Sequence, residues 1–266
     1  QIMIKPYLAS MTMSELLASM AGSMACIAGG VMAMYIGMGI PAEYLLSASI
    51  MAAPGALVIS KIVFPETQES QTKNDVKIEV KQTYVNLIDA IAHGASDGMR
   101  VSINVIAMLI ALIALIHMVD WVLGFVGTFL VNICHLPATF IGIDFSHLSM
   151  KEILGAIFSV FAYIMGVPMS EASTVGSLMG TKLVFNEFIA YMDLSQIQAT
   201  LSPKSVIIAS FALCGFANLG SIAIQIGGIG ELAPNRRADL AKLGFKALIC
   251  GTLASYVSAC IAGILL

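Results

Sequence analysis

Glu187 lies in the stretch VFNEFIAYM, with apolar neighbours on both sides. An ionisable side chain in such surroundings is costly unless it has a partner or faces a wet cavity. A carboxylate only accepts hydrogen bonds, so it suits donor ligands such as sugar hydroxyls, and its charge roughly doubles the strength of each bond. The structural alternative is a carboxylate at a hairpin end, in water or paired with Lys182. Asn218 and Ser221 occur in GFANLGSIA. Three apart, they share one face if the segment is helical. Unwinding at Gly215 and Gly220 would add free backbone groups; hydrogen bonding between spans is the alternative. Phe216 lies beside this pair, and its ring face could stack on a base or pack in the core or against lipid. Cys26 and Ile27 precede Gly29 and Gly30. An unwound turn there would free carbonyl oxygens for a cation, and a small-residue helix contact is the alternative.

The remaining polar and sulfur residues point to packing. Asn104 is expected to bond to a neighbouring helix. His93, His117, His135 and His147 are scattered, and no HExxH or Ser/His/Asp arrangement occurs, so no hydrolase or metal site is assigned. The 17 Met residues show no tight repeated motif and read as adaptable packing. Cys26, Cys134, Cys214, Cys250 and Cys260 form no CxxC pair and read as small hydrophobes.

These positions are carried by a chain built for lipid. Of its 266 residues, 58% are hydrophobic and 11% are charged, against about 25% charged in an ordinary soluble domain. Mean hydropathy is +0.91. The net charge of −3 offers no basic patch for nucleic acid. Spans of roughly 20 apolar residues are predicted over 14–40, 42–64, 101–130 and 243–266. Residues 65–83 form a charged polar loop. Residues 84–99 suit an interfacial helix or the entry to the next span. Residues 131–148 read as a loop and 149–167 as another apolar segment. From Met169 to Leu194, polar residues interrupt the pattern in the manner of a re-entrant hairpin shielded by protein. Residues 205–230 are apolar but hold Asn218, Ser221 and Gln225. Arg236 and Arg237 favour a cytoplasmic position for their loop.

Residues 16–30 (LLASMAGSMACIAGG) and 207–221 (IIASFALCGFANLGS) align without gaps at Ala18/Ala209, Ser19/Ser210, Ala21/Ala212 and Gly29/Gly220. Interrupted helices at matched places in two halves indicate a transporter with internal repeats. Chance likeness among small-residue membrane helices is the alternative. Two rivals stand beside a transporter: a channel or structural subunit without a substrate, and an intramembrane enzyme, for which no dyad or metal cluster is seen.

The blocks IKPYLASMTMSEL, ASIMAAPGALVISKIVFPET, NVIAMLIALIALI, NEFIAY, SFALCGFANLGSIAI and ELAPNRRADLAKLGFKALICGTLASY resemble, in order and over nearly the whole chain, the concentrative nucleoside transporter family. The resemblance implies an all-α integral membrane protein: a multi-span transporter, not an enzyme, with inverted repeats, re-entrant helical hairpins and partly unwound helices. It implies secondary active uptake of nucleosides such as uridine or adenosine, driven by a Na+ or H+ gradient and without a cofactor. The assembly would be a homotrimer in the plasma (inner) membrane, scaffolded by the helix at about 101–130 and moving in an elevator-like manner. Glu187, Asn218 and Ser221 would hold the ribose, and Phe216 and Val31 would line the base. Cys26 stands where sodium-coupled members place a Ser; a thiol is a soft ligand for sodium, and the Ile27 carbonyl remains as a hard one. The domain plan is a first repeat over 1–64, the polar loop 65–83, an interfacial segment and scaffold helix over 84–130, and a second repeat over 131–266. The family's early helices and its Gly-Gln-Thr-Glu hairpin motif would precede Gln1, which makes the chain a fragment on this expectation.

Overall fold

The computed structural model describes residues 4–70, 85–135, 137, 139–140 and 143–265. The polar loop falls largely outside these residues. Eleven α-helices run through the described chain: α1 (Lys5–Leu8), α2 (Met13–Ala25), α3 (Gly29–Gly37), α4 (Ala42–Val63), α5 (Leu87–Asn132), α6 (Met150–Ile164), α7 (Met169–Val184), α8 (Glu187–Ile197), α9 (Pro203–Leu213), α10 (Leu219–Leu232) and α11 (Arg237–Leu265). The all-helical expectation holds apart from one short ribbon in the predicted loop. There β1 (Thr139–Phe140) pairs antiparallel with β2 (Ile143–Asp144).

Side chains that bond locally to the backbone set where helices start. Thr12 and Glu15 close a capping box on α2, with Glu15 N–H donating to Thr12 Oγ1 at 3.1 Å and Thr12 N–H donating to Glu15 Oε2 at 2.9 Å. Asn86, Ser149, Asn186, Ser202 and Asn218 cap α5, α6, α8, α9 and α10 by accepting from a backbone N–H of the first turn. Pro203 adds a preset first turn to α9.

One expected span and one further apolar stretch are broken. Residues 14–40 form α2 and α3, separated at residues 26–28, where Cys26 and Ala28 take extended backbone. The Gly29–Gly30 pair opens α3 instead of being the unwound part. Residues 205–230 divide into α9 and α10 around residues 214–218. Gly215 sits in this second break with φ +100°, and a Cβ there would stand 2.4 Å from the Ala25 carbonyl oxygen. Only glycine fits both the conformation and the approach. Gly220 lies inside α10 and takes no part in the unwinding.

Of the two readings of the half-polar stretch at 84–99, an interfacial helix or the entry to the next span, its described residues take the second. It continues into α5, a single helix of 46 residues, about 70 Å long at the usual rise per residue. That is more than twice the hydrocarbon thickness, so α5 tilts or projects beyond it. Of its apolar stretch only 6% is buried, against 56% for α11, which packs on α2, α4, α9 and α10 at the centre of the molecule. α7 lies against α6 through glycines: a Cβ on Gly176 would meet the Ser159 amide nitrogen at 2.4 Å, and one on Gly180 the Gly155 nitrogen at 2.8 Å. Small residues let membrane helices approach this closely. By length and composition, four helical stretches can cross a membrane: Met13–Gly37, Ala42–Val63, Leu87–Asn132 and Pro234–Leu265. α9 and α10 are shorter apolar helices.

Candidate functional site

Glu187 opens α8 at the tip of the hairpin made with α7, and it is 4% exposed. Asn186 caps this helix by accepting from Ile189 N–H at 3.0 Å. The carboxylate therefore sits at the positive end of a helix dipole. Its Oε1 accepts from the Tyr35 hydroxyl at 3.1 Å, and its Oε2 accepts from Asn218 Nδ2 at 3.3 Å. Lys182 is not the partner of Glu187. Its ammonium donates to the carbonyls of Ala212 at 2.9 Å and Cys214 at 3.3 Å, at the end of α9.

Asn218 reaches Glu187 from the second broken helix. The shared helix face with Ser221 held only for a continuous helix; Asn218 stands outside the helix as the N-cap of α10, in extended backbone. Its Oδ1 accepts from the Ser221 N–H at 2.8 Å. An N–H is only a donor, so the amide orientation is fixed and Nδ2 is left for Glu187. The Ser221 hydroxyl lies against Asn218 Oδ1 at 3.1 Å and against the Phe216 carbonyl. The break thus gathers Phe216, Asn218 and Ser221 at the start of α10 and turns the Asn218 amide toward Glu187.

Tyr35, the donor to Glu187 Oε1, lies behind the carboxylate and does not line the adjoining cavity. It is fully buried on α3, with its ring 4.4 Å from that of Tyr191 between centroids. Beside this trio lies a cavity of about 790 Å³, within the range of about 300–1,000 Å³ common for small-molecule sites. Glu187, Asn218, Ser221, Phe216 and Val31 all line it, together with Ser23 and Gln225. Its far side is formed by α5 through Leu109, Leu112, Ile113, Ile116 and His117. The lining is mostly apolar with a few convergent polar groups. A carboxylate has about four lone-pair positions, and the Tyr35 hydroxyl, the Asn218 amide and the Glu187 backbone N–H act on it. The capacity left over can take a hydroxyl donor of a ligand in the cavity.

Cys26 and Ile27 lie in the first break and do not line the cavity. Cys26 Sγ is 3.9 Å from the Ser49 carbonyl oxygen, and the Ser49 hydroxyl is 3.6 Å from Cys214 Sγ, so α4 links the two breaks. Asn104 finds its interhelical partner in Glu231, at 3.2 Å. Among the described residues, no group of three or more His, Cys, Asp or Glu is placed to hold a metal.

Sequence reasoning missed Tyr35, which sits in an unremarkable apolar run with no spacing to mark it. It missed Ser23, which accepts from Gln225 Nε2 at 2.6 Å and ties α10 to α2. It also missed the α5 wall, because a lipid-facing helix and a cavity-facing helix read alike.

A multi-span helical membrane protein in which a hairpin and two broken helices bring a carboxylate, an amide and a hydroxyl to one cavity has the build of a membrane transporter. The family model described as "Na+ dependent nucleoside transporter C-terminus" matches residues 44–263, and the chain belongs to this family, one of transporters and not of enzymes. It is 46% identical over 263 residues to the Uncharacterized transporter YutK of Bacillus subtilis (strain 168), covering 98% of this chain and 62% of the relative. It is 41% identical over 268 residues to the Nucleoside permease NupC of Helicobacter pylori, covering 99% of this chain and 60% of the relative. Among solved structures, a CNTnw variant in an outward-facing state superposes with a TM-score of 0.84 at 43% identity, covering 98% of this chain and 60% of that one. The chain spans about three fifths of the length of these relatives.

Proposed function

We propose that this chain forms the substrate-binding part of a secondary active symporter that takes up nucleosides such as uridine or adenosine, in a transporter longer than the chain itself. The observation that carries the reading is the Glu187 carboxylate, buried and bonded to Tyr35 and Asn218 at the edge of a cavity. Glu187, Asn218 and Ser221 hold the ribose hydroxyls, and Phe216 and Val31 flank the base. Burying such a carboxylate is tolerable in a membrane protein when ligand donors and protein donors share its lone pairs.

The coupling ion is Na+, a reading supported by the sodium dependence in the family's description. In this reading the Ile27 carbonyl and Cys26 meet the ion at the first break. Proton coupling is the second reading, favoured by the softness of the Cys26 thiol as a sodium ligand. The chain divides into a first repeat at 1–64 and a second at 131–266, with the broken pair α2/α3 answering to α9/α10. α5 forms the scaffold of a homotrimer in the plasma membrane, a reading supported by its exposed apolar length.

Uptake of radiolabelled uridine into proteoliposomes by the complete transporter, with Na+ and H+ gradients imposed separately, tests the reading. Saturable uptake under one gradient is the expected result, and its absence under both removes the symporter. Glu187→Ala is expected to abolish uptake while the protein remains folded in the membrane. Normal uptake by that variant would remove the ribose assignment and leave the cavity without its key ligand.

A further inference from the structure

Lys182 is a buried charge that substrate binding leaves unused. It is 2% exposed, five residues before Glu187 on the same hairpin. Among the described residues it forms no ion pair with a carboxylate. Its ammonium instead donates to Ala212 and Cys214 at the end of α9. The Ser255 hydroxyl also donates to the Cys214 carbonyl, at 2.6 Å, and the Tyr191 hydroxyl to that of Ser210, at 2.6 Å. The last carbonyls of a helix have no partners within it and carry the negative end of its dipole. A positive charge placed there is matched by these carbonyls at hydrogen-bond distance, with the Glu187 carboxylate acting on it from farther away.

The first break differs. α2 ends at Ala25, whose carbonyl oxygen lies against the backbone at Gly215. Among the described residues, no Lys or Arg side chain donates to the carbonyls of residues 22–27. One broken end therefore has a cation supplied by the chain, and the other has none.

We propose that Lys182 is a resident cation: its ammonium takes, at the second break, the carbonyl position that a mobile cation would take at the first, and so holds the hairpin tip where Glu187 meets Asn218. Lys182 is a positioning residue here and touches no substrate. The inference rests on Glu187 and Asn218 as sugar ligands, and one arm of its test is independent of that reading.

In the complete detergent-solubilised transporter, Lys182→Ala is expected to weaken uridine binding about tenfold or more, because two buried carbonyls lose a charged donor. Propylammonium matches the atoms removed and is expected to recover most of the loss. 1-Propanol has the same size and can donate a hydrogen bond but is neutral, and it is expected not to. With no nucleoside present, propylammonium is expected to raise the Tm of Lys182→Ala and not that of the wild type. Equal effects of propylammonium and 1-propanol would reduce Lys182 to a neutral helix cap and overturn the proposal. If Lys182→Ala does not fold, Lys182→Arg and Lys182→Gln decide: tighter uridine binding by Arg supports a resident charge, and equal binding overturns it. A Tm response without uridine binding in the wild type would sink the nucleoside reading and leave the resident cation standing.

Discussion

Tyr35 shows how much of a buried carboxylate's behaviour is set by residues with no charge. Its hydroxyl donates to Glu187 Oε1 and its ring is held against Tyr191, so the donor is fixed before any ligand arrives. A hydrogen bond to a charged group contributes about 1.5–3 kcal/mol. Tyr35→Phe keeps the ring packing and removes only the donor. It is expected to weaken uridine binding about tenfold, with little change in Tm, as read by equilibrium binding and thermal melting of the same preparation. A fall in Tm with unchanged affinity would make Tyr35 a packing residue only. At this scale the sequence was a good guide to types and a poor guide to pairings. Glu187 in an apolar run announced a costly group, yet nothing in the residues near it pointed to Tyr35, 152 positions away. Pairing with Lys182 stood among the alternatives for Glu187 because of sequence proximity, whereas the fold offers that ammonium carbonyls.

The helix starts and breaks have local causes, which is why some were legible and others were not. Thr12 caps α2 and also donates to Glu66 Oε2 at 2.7 Å, while the Ser14 hydroxyl donates to the Phe64 carbonyl at 2.7 Å. The start of α2 is thereby tied to the end of α4. Burial pushes the Glu66 carboxyl up, but bonds from Thr12, the Gln68 N–H and Lys61 outweigh it and hold it below the usual carboxylate range. A depressed folded-state value means that this tie stabilises above the ordinary carboxylate pKa and is lost as pH falls through the folded value. Thr12→Ala is expected to cost about 1 kcal/mol, seen as a lower Tm at neutral pH, and the difference from wild type is expected to narrow in acid. A gap that stays constant with pH would confine the role of Thr12 to the capping box. The break at residues 26–28 was placed a few positions late on sequence grounds, since Gly29 and Gly30 look like the natural site of unwinding. In the fold they begin α3, and the extended residues before them have no compositional mark. The seam between α6 and α7 was equally hidden, although its cause is simple. Gly176→Leu is expected to force these helices apart and reduce the folded yield sharply, because the Ser159 backbone occupies the space. Normal yield and Tm of that variant would show that the seam can open without cost.

At the scale of the whole molecule, α5 stands apart from the rest. Ile110 is 64% exposed and Trp121 74% exposed on this helix. In water such a surface would aggregate; in a bilayer it faces lipid or another copy of the chain. Ile110→Arg is expected to cost about 2.5–3.5 kcal/mol on a lipid-facing surface and to lower the membrane-inserted fraction in a fractionation assay. Unchanged insertion would mean that this position faces water. Composition and apolar run length were enough to read the membrane class, because lipid imposes length and polarity on any span. They could not show that α5 turns part of its surface inward to close the cavity, since the residues that do so are as apolar as those facing out.

The glycine at 215 has a mechanical consequence. With its backbone pressed on the Ala25 carbonyl, the two interrupted helices touch main chain to main chain, without side chains between them to flex. Any displacement of the second break must therefore carry the first break with it, so the two move as a single rigid piece.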